Sequence, residues 1–230
     1  MTGAFWEDVL DEQTRELIAR RAPRHLLGRR PVIVAVDLYE LAFAGGSRPV
    51  VELQGEHPES CGVFAWQALP RQVALFEAAR ARGIPIIHVT YDPRIEADPK
   101  RVQPTNRGGR VPGAALYRIK HELEPAEGEL VVYKKRASAF FGTPLVAYLN
   151  ELQIDSLLLV GESTSGCVRA SVIEGWSYGY PVVVVGDCTF DRHDLVHQVS
   201  LLDMHLKYAT VVDLKEAMAM IDAGTQAAVA

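Results

Sequence analysis

The sequence predicts an α/β protein: a doubly wound, mostly parallel six-stranded sheet with helices on both faces. Three observations carry this. Short apolar runs rich in β-branched residues recur at 32–36, 84–91, 129–135, 156–161, 180–187 and 209–214. Several, such as the four consecutive valines at 182–185, do not alternate with polar residues, as expected for strands covered on both faces of a parallel sheet. Between these runs lie segments with helical spacing, and a strand–helix alternation calls for parallel crossovers.

The elements follow in order. Residues 1–29 are charged, with apolar positions at Phe5, Val9, Leu10 and Leu17, and are expected to form an N-terminal helical arm packed on the domain or on a partner. The domain itself is expected over 30–222. Its first strand is 32–36, followed by a loop at 44–63 rich in Gly, Ser and Pro. A helix over 64–82 carries Val73, Leu75, Phe76 and Ala79 at helical spacing and stops at Gly83. The strand at 84–91 precedes a long polar loop, 92–115, of the kind that often forms lids or binding segments. Then come a strand (129–135), a helix (144–154), a strand (156–161), a helix (164–178) and a strand (180–187). A helix at 194–206, a strand at 209–214 and a closing helix at 215–222 complete the pattern. The alanine-rich residues 223–230 are expected to be a disordered tail.

Composition excludes several classes. The 24 basic and 29 acidic residues give a net charge of −5 without long runs of one sign, which does not suit a nucleic-acid surface. Apolar runs are far too short to span a membrane, so no membrane partner is expected. The start, MTGAFWEDVLDEQ, lacks the basic and then apolar segments of a secretory signal. The three cysteines, Cys61, Cys167 and Cys188, are odd in number, and no CxxC spacing occurs. A disulfide framework or structural zinc site is therefore not expected, and a reducing cytoplasm is the simplest compartment.

In doubly wound sheets, ligands bind beyond the carboxyl ends of the strands. Reactive side chains fall there. Asp37 closes the first strand, Lys134 and Lys135 close the third, and Cys167 follows the fourth in "LLLVGESTSGCVRASVIEG". A thiol in the first turn of a helix is expected to ionise more readily, and a lysine beside it would add to that effect. An aspartate could accept the thiol proton and return it to a leaving amine. Ser163, Ser165 and Gly166 are small enough to let backbone N–H groups approach an oxyanion. Ordinary packing explains a lone cysteine equally simply, and a lysine at a strand end is commonly a solvated cap. Cys61 and Cys188 are expected to be packing residues.

Three motifs narrow the choice: VIVAVDL (32–38), YKKRASAFFGTPL (133–145) and VGESTSGCVRASVIEGWSYGY (160–180). In this order they resemble the isochorismatase-like cysteine hydrolases, over about residues 30–214. Within that superfamily the chain is most similar to the N-carbamoylsarcosine amidase branch. The resemblance implies a catalytic triad of Asp37, Lys134 and Cys167. The pattern K-x-R-x-S-A-F selects Lys134 over Lys135, and adjacent strand residues face opposite ways. It implies a cis peptide at Glu162–Ser163 and oxyanion donors in the N–H groups of Ser163 and Cys167. It also places Arg192, in DCTFDRH, where that branch holds a substrate carboxylate; a guanidinium can grip one with two parallel hydrogen bonds. A surface salt bridge is the plainer role for Arg192. His193 and His197 could line the mouth of the site, and Tyr39, Phe43 and Trp66 could wall the pocket or belong to the core.

Metal-binding members of the superfamily carry Asp-x-His after the first strand; here Tyr39 stands at the histidine position. No metal and no other cofactor is therefore implied, which argues against nicotinamidase chemistry. Members acting on isochorismate's vinyl ether lack the cysteine, so Cys167 argues against that reaction as well. The expected activity is a metal-free cysteine hydrolase that cleaves a C–N bond of a small amide or ureido compound through a thioester and releases ammonia. N-carbamoylsarcosine-, maleamate- and biuret-like substrates all fit, and relatives suggest a homodimer or homotetramer. Two other classes compete: a non-catalytic scaffold whose 92–115 loop blocks the site, and a redox thiol enzyme using Cys188 on the next strand.

Overall fold

A computed structural model describes residues 5–20, 27–92 and 113–229. Six strands form one sheet: β1 (Pro31–Val36), β2 (Ile86–Tyr91), β3 (Leu130–Lys134), β4 (Ser156–Glu162), β5 (Val182–Phe190) and β6 (Thr210–Val212). Their order is β3-β2-β1-β4-β5-β6, and every neighbouring pair is parallel. The direction of growth reverses at β1, which lies between β2 and β4. The carboxyl ends of β1 and β4 consequently diverge from a common crevice, the switch point at which such sheets bind ligands.

The helices are α1 (Glu12–Ala19), α2 (Glu40–Phe43), α3 (Val50–Leu53), α4 (Gly62–Ala81), α5 (Leu145–Glu151), α6 (Arg169–Ser177), α7 (Asp194–Lys207) and α8 (Leu214–Val229). Side-chain alternation along the strands divides the core into two layers. Ile33, Ala35, Leu158, Val160, Val183 and Val185 face α4 and α8, where Leu75, Phe76, Ala217 and Ile221 meet them. Val32, Val34, Leu157, Leu159, Val182 and Val184 face α5, α6 and α7, through Leu145, Leu149, Val172, Leu201 and Met204. β1 is buried along its whole length, which explains its continuous apolar run.

Several expectations are corrected. The loop at 44–63 contains a one-turn helix, α3, and another, α2, ends just before it; both are too short to show as periodicity. β5 runs on to Phe190, three residues past its expected end, because its register against β4 jumps from Leu159↔Val184 to Gly161↔Thr189. The closing helix continues to Val229, through residues expected to be a disordered tail; alanine is the strongest helix former. In the N-terminal arm, Leu17 is exposed, whereas Trp6, which carried no periodicity, is 1% exposed and packs against His205 with ring centroids 5.0 Å apart. Residues 93–112 of the expected polar loop lie outside the described residues. Among the described residues no helix is long and apolar enough to cross a membrane.

Candidate active site

Asp37 is the first residue past β1. Its N–H donates to the Val89 carbonyl at 2.8 Å, and its backbone is left-handed, with φ of 52°. That conformation is unfavourable for a residue with a Cβ, and here it turns the carboxylate into the crevice. Lys134 ends β3, two strands away, a separation of roughly 10 Å. Its long stem spans the end of β2, and Nζ reaches Asp37 Oδ2 at 2.6 Å and Cys167 Sγ at 3.4 Å. A third bond to the Arg136 carbonyl, at 3.1 Å, completes the ammonium's donors. Lys134 is 4% exposed and Asp37 1%. Lys135 points the other way, onto the Asp92 carbonyl and over the Tyr91 ring. The pleat thus separates the two lysines as expected.

Cys167 lies in a wide turn, Thr164–Val168, wound as a π-helix between β4 and α6. The N–H groups of Gly166 and Val168 both return to the Ser163 carbonyl, at 2.9 and 3.2 Å. The preceding Glu162–Ser163 peptide is cis. Close approach of backbones is required here. A Cβ on Gly161 would stand 1.9 Å from the Val36 carbonyl oxygen, and φ at Gly161 is 117°. Only glycine lets β4 pass so near the end of β1.

The electrostatics overturn one expectation. Burial pushes the Cys167 thiol up from its ordinary range, and Asp37 and Glu162 add to the rise against the opposing pull of Lys134. Among the described residues a thiolate would be a further anion beside two carboxylates and one ammonium, a balance that favours the protonated sulfur over the ionised one. Lys134 is also buried, but Asp37 and Cys167 beside it hold its pKa above the usual lysine value. Asp37 Oδ1 is buried and has no hydrogen-bond partner among the described residues, which offers an acceptor beside the thiol.

The other expected residues divide. Tyr39 is buried at the start of α2, its hydroxyl bonded to Glu162; burial and the Glu162 charge push its pKa well up. Phe43 is a core residue, edge-on to Trp66 and Phe190 at 6.0 and 5.6 Å. Trp66 donates its Nε1–H to the Phe43 carbonyl at 3.1 Å. Arg192 is half-buried and its guanidinium reaches the Glu59 carbonyl at 3.3 Å; among the described residues it makes no salt bridge. His193 is exposed at the cap of α7, and His197 Nδ1 shares a 2.7 Å hydrogen bond with Thr164 Oγ1. Two features were missed. Asp191 accepts from the N–H and hydroxyl of Ser165, and Glu162 accepts from the Cys61 thiol at 3.7 Å. Asp191 lies four residues past the expected end of its strand and becomes a strand-end acid only through the extension of β5 to Phe190. Glu162 had no signal beyond its place in the motif.

Residues 57–216 match the model of the isochorismatase domain. The chain belongs to the isochorismatase family. The matched residues include Lys134 and Cys167, while Asp37 precedes them. Similarity to family members extends further. The chain is 33% identical to maleamate amidohydrolase of Pseudomonas putida over 83% of this chain and 86% of that one. It is 29% identical to N-carbamoylsarcosine amidase of an Arthrobacter species, over 85% and 73% respectively. Among solved structures, an isochorismatase family protein from Desulfovibrio vulgaris superposes with a TM-score of 0.68 at 27% identity, covering 85% of this chain and 100% of that one. The parallel six-stranded sheet is thus the fold of the isochorismatase family, and the two curated relatives are hydrolases of C–N bonds.

Proposed function

We propose that the protein is a cysteine amidohydrolase of the isochorismatase family, acting on a small primary amide or ureido compound and releasing ammonia. One observation carries this. Lys134 Nζ bridges Asp37 and Cys167 in a buried crevice, and among the described residues Asp37 Oδ1 is left as an acceptor without a partner. The names of the two relatives support the substrate class.

The neutral thiol sets the order of events. As the Cys167 sulfur attacks the amide carbon, its proton passes to Asp37, so no free thiolate accumulates. The carbonyl oxygen becomes an oxyanion held by the N–H groups of Ser163 and Cys167; Ser163 donates no backbone hydrogen bond among the described residues. Asp37 then gives its proton to the departing nitrogen, ammonia leaves, and a thioester remains on Cys167. A water molecule loses a proton to Asp37 and attacks the thioester, and collapse returns the thiol and releases the acid. Lys134 keeps Asp37 oriented and offsets negative charge at each stage. Arg192 supports a substrate that also bears a carboxylate, since among the described residues its guanidinium makes a single hydrogen bond, to the Glu59 carbonyl.

An ammonia-release screen over maleamate, N-carbamoylsarcosine, biuret and neutral primary amides tests the class. Cys167→Ala in the same assay is expected to lower turnover by about 10³-fold or more while the protein stays folded. More than a tenth of wild-type activity in that variant would remove Cys167 as nucleophile.

A further inference from the structure

We infer that Asp191 is a positioning residue that fixes the turn carrying Cys167 and so sets the direction in which the sulfur meets the substrate carbonyl. The inference rests on Cys167 being the nucleophile. Asp191 lies one residue past β5 and is 4% exposed. Its carboxylate collects three donors. Oδ2 accepts from the Ser165 N–H at 2.9 Å and the Ser165 hydroxyl at 2.7 Å, and Oδ1 accepts from its neighbour's N–H, Arg192, at 2.8 Å. Bonds on both oxygens fix the plane of the carboxylate, and two of the three come from a residue two positions before Cys167.

The turn needs such an anchor. Its own bonds, from Gly166 and Val168 to the Ser163 carbonyl, close it on itself and tie it to nothing across the sheet. Among the described residues the lateral ties are Ser165 to Asp191, Thr164 to His197 and, at the sulfur itself, Lys134 to Cys167. The register jump between β4 and β5 brings the end of β5 alongside the turn. The carboxylate is anchored to the turn rather than to the sulfur, so its effect should be geometric. Misplacing a reacting atom by about 1 Å can cost on the order of a hundredfold in rate.

The test uses Asp191→Ala, Asp191→Asn and Ser165→Ala beside wild type and Cys167→Ala. Two readouts are taken: kcat and KM with maleamate and N-carbamoylsarcosine, and alkylation of Cys167 by iodoacetamide from pH 6 to 11, followed by mass spectrometry. Asp191→Ala is expected to lower kcat roughly 30- to 300-fold, with KM changed less than about threefold and the alkylation midpoint unmoved. Asp191→Asn keeps one acceptor oxygen and should recover part of the loss. Ser165→Ala, which keeps the N–H bond, should lose about three- to tenfold. If Asp191→Ala does not fold, the other two variants decide. Wild-type kcat in both overturns the inference, as does a raised KM at unchanged kcat or a shifted alkylation midpoint. Turnover surviving in Cys167→Ala instead sinks the nucleophile. If wild type hydrolyses neither probe, the substrate class fails, and the alkylation rate at its alkaline plateau decides. A change beyond threefold in Asp191→Ala supports positioning, and an unchanged rate overturns it.

Discussion

Among the described residues Cys167 shares its crevice with two carboxylates and one ammonium, an imbalance that opposes ionisation of the thiol. The usual diagnostic of a catalytic cysteine, rapid alkylation at neutral pH, should be muted here without substrate. Because burial and Asp37 raise the thiol's pKa, the iodoacetamide rate is expected to keep climbing into the alkaline range rather than level off near pH 7. Removing the ammonium in Lys134→Met should push the profile further alkaline. A plateau at or below pH 7 in wild type would contradict the neutral resting thiol. Arg192 makes a separable prediction. Arg192→Ala should lower kcat/KM for a carboxylate-bearing amide roughly ten- to a hundredfold, about 1.5–3 kcal/mol, and hardly affect a neutral amide of equal size. Arg192→Lys should recover only part, since an ammonium lacks the two-pronged contact. Equal losses on both substrates would make Arg192 structural.

At the level of elements, the site depends on how closely β4 passes β1. Gly161→Ala combines a positive φ with a Cβ 1.9 Å from a backbone oxygen, which cannot swing aside. Gly46→Ala also meets a positive φ, of 82° rather than 117°, but its Cβ would find nothing within 4 Å. The second change is expected to cost about 1–2 kcal/mol and the first several more. Thermal unfolding of the pair measures the clash alone, and similar melting temperatures would show that β1 and β4 can spread. The sequence made the six strands and their alternation with helices legible, because buried β-branched runs have few other homes. It also made Asp37, Lys134 and Cys167 visible, since strand ends converge in this class of sheet. Asp191, α2, α3 and the extension of β5 were not legible. Each follows from a register jump or a one-turn helix, which is set by packing between distant segments and leaves no local period.

Over the whole molecule, acid should act on a cluster remote from the crevice. Buried His88 meets Glu129 at 2.9 Å, and Arg80 grips the same carboxylate at 2.8 and 2.9 Å. Burial would raise Glu129, but Arg80 and His88 more than offset it and hold it at about 2. Its contribution is therefore complete above the unfolded value of 4.5 and is lost as pH falls towards 2. Burial lowers His88, so the unfolded chain binds its proton first and stability also falls as pH drops below 6.5. The urea midpoint is expected to decline from pH 7 to pH 3, and Glu129→Gln, weaker at neutral pH, should decline less. Parallel decline in both proteins would remove Glu129 from the account. The packing of the N-terminal arm gives the molecule an optical gauge of its own. Its three indoles sit in three settings: Trp6 sealed in the core, Trp66 half-buried, and Trp176 45% exposed. Emission from Trp6 belongs at the blue edge of the fluorescence band. Because that indole is held by a short arm rather than by the sheet, loosening of the arm alone would redden the spectrum while the strands stayed paired.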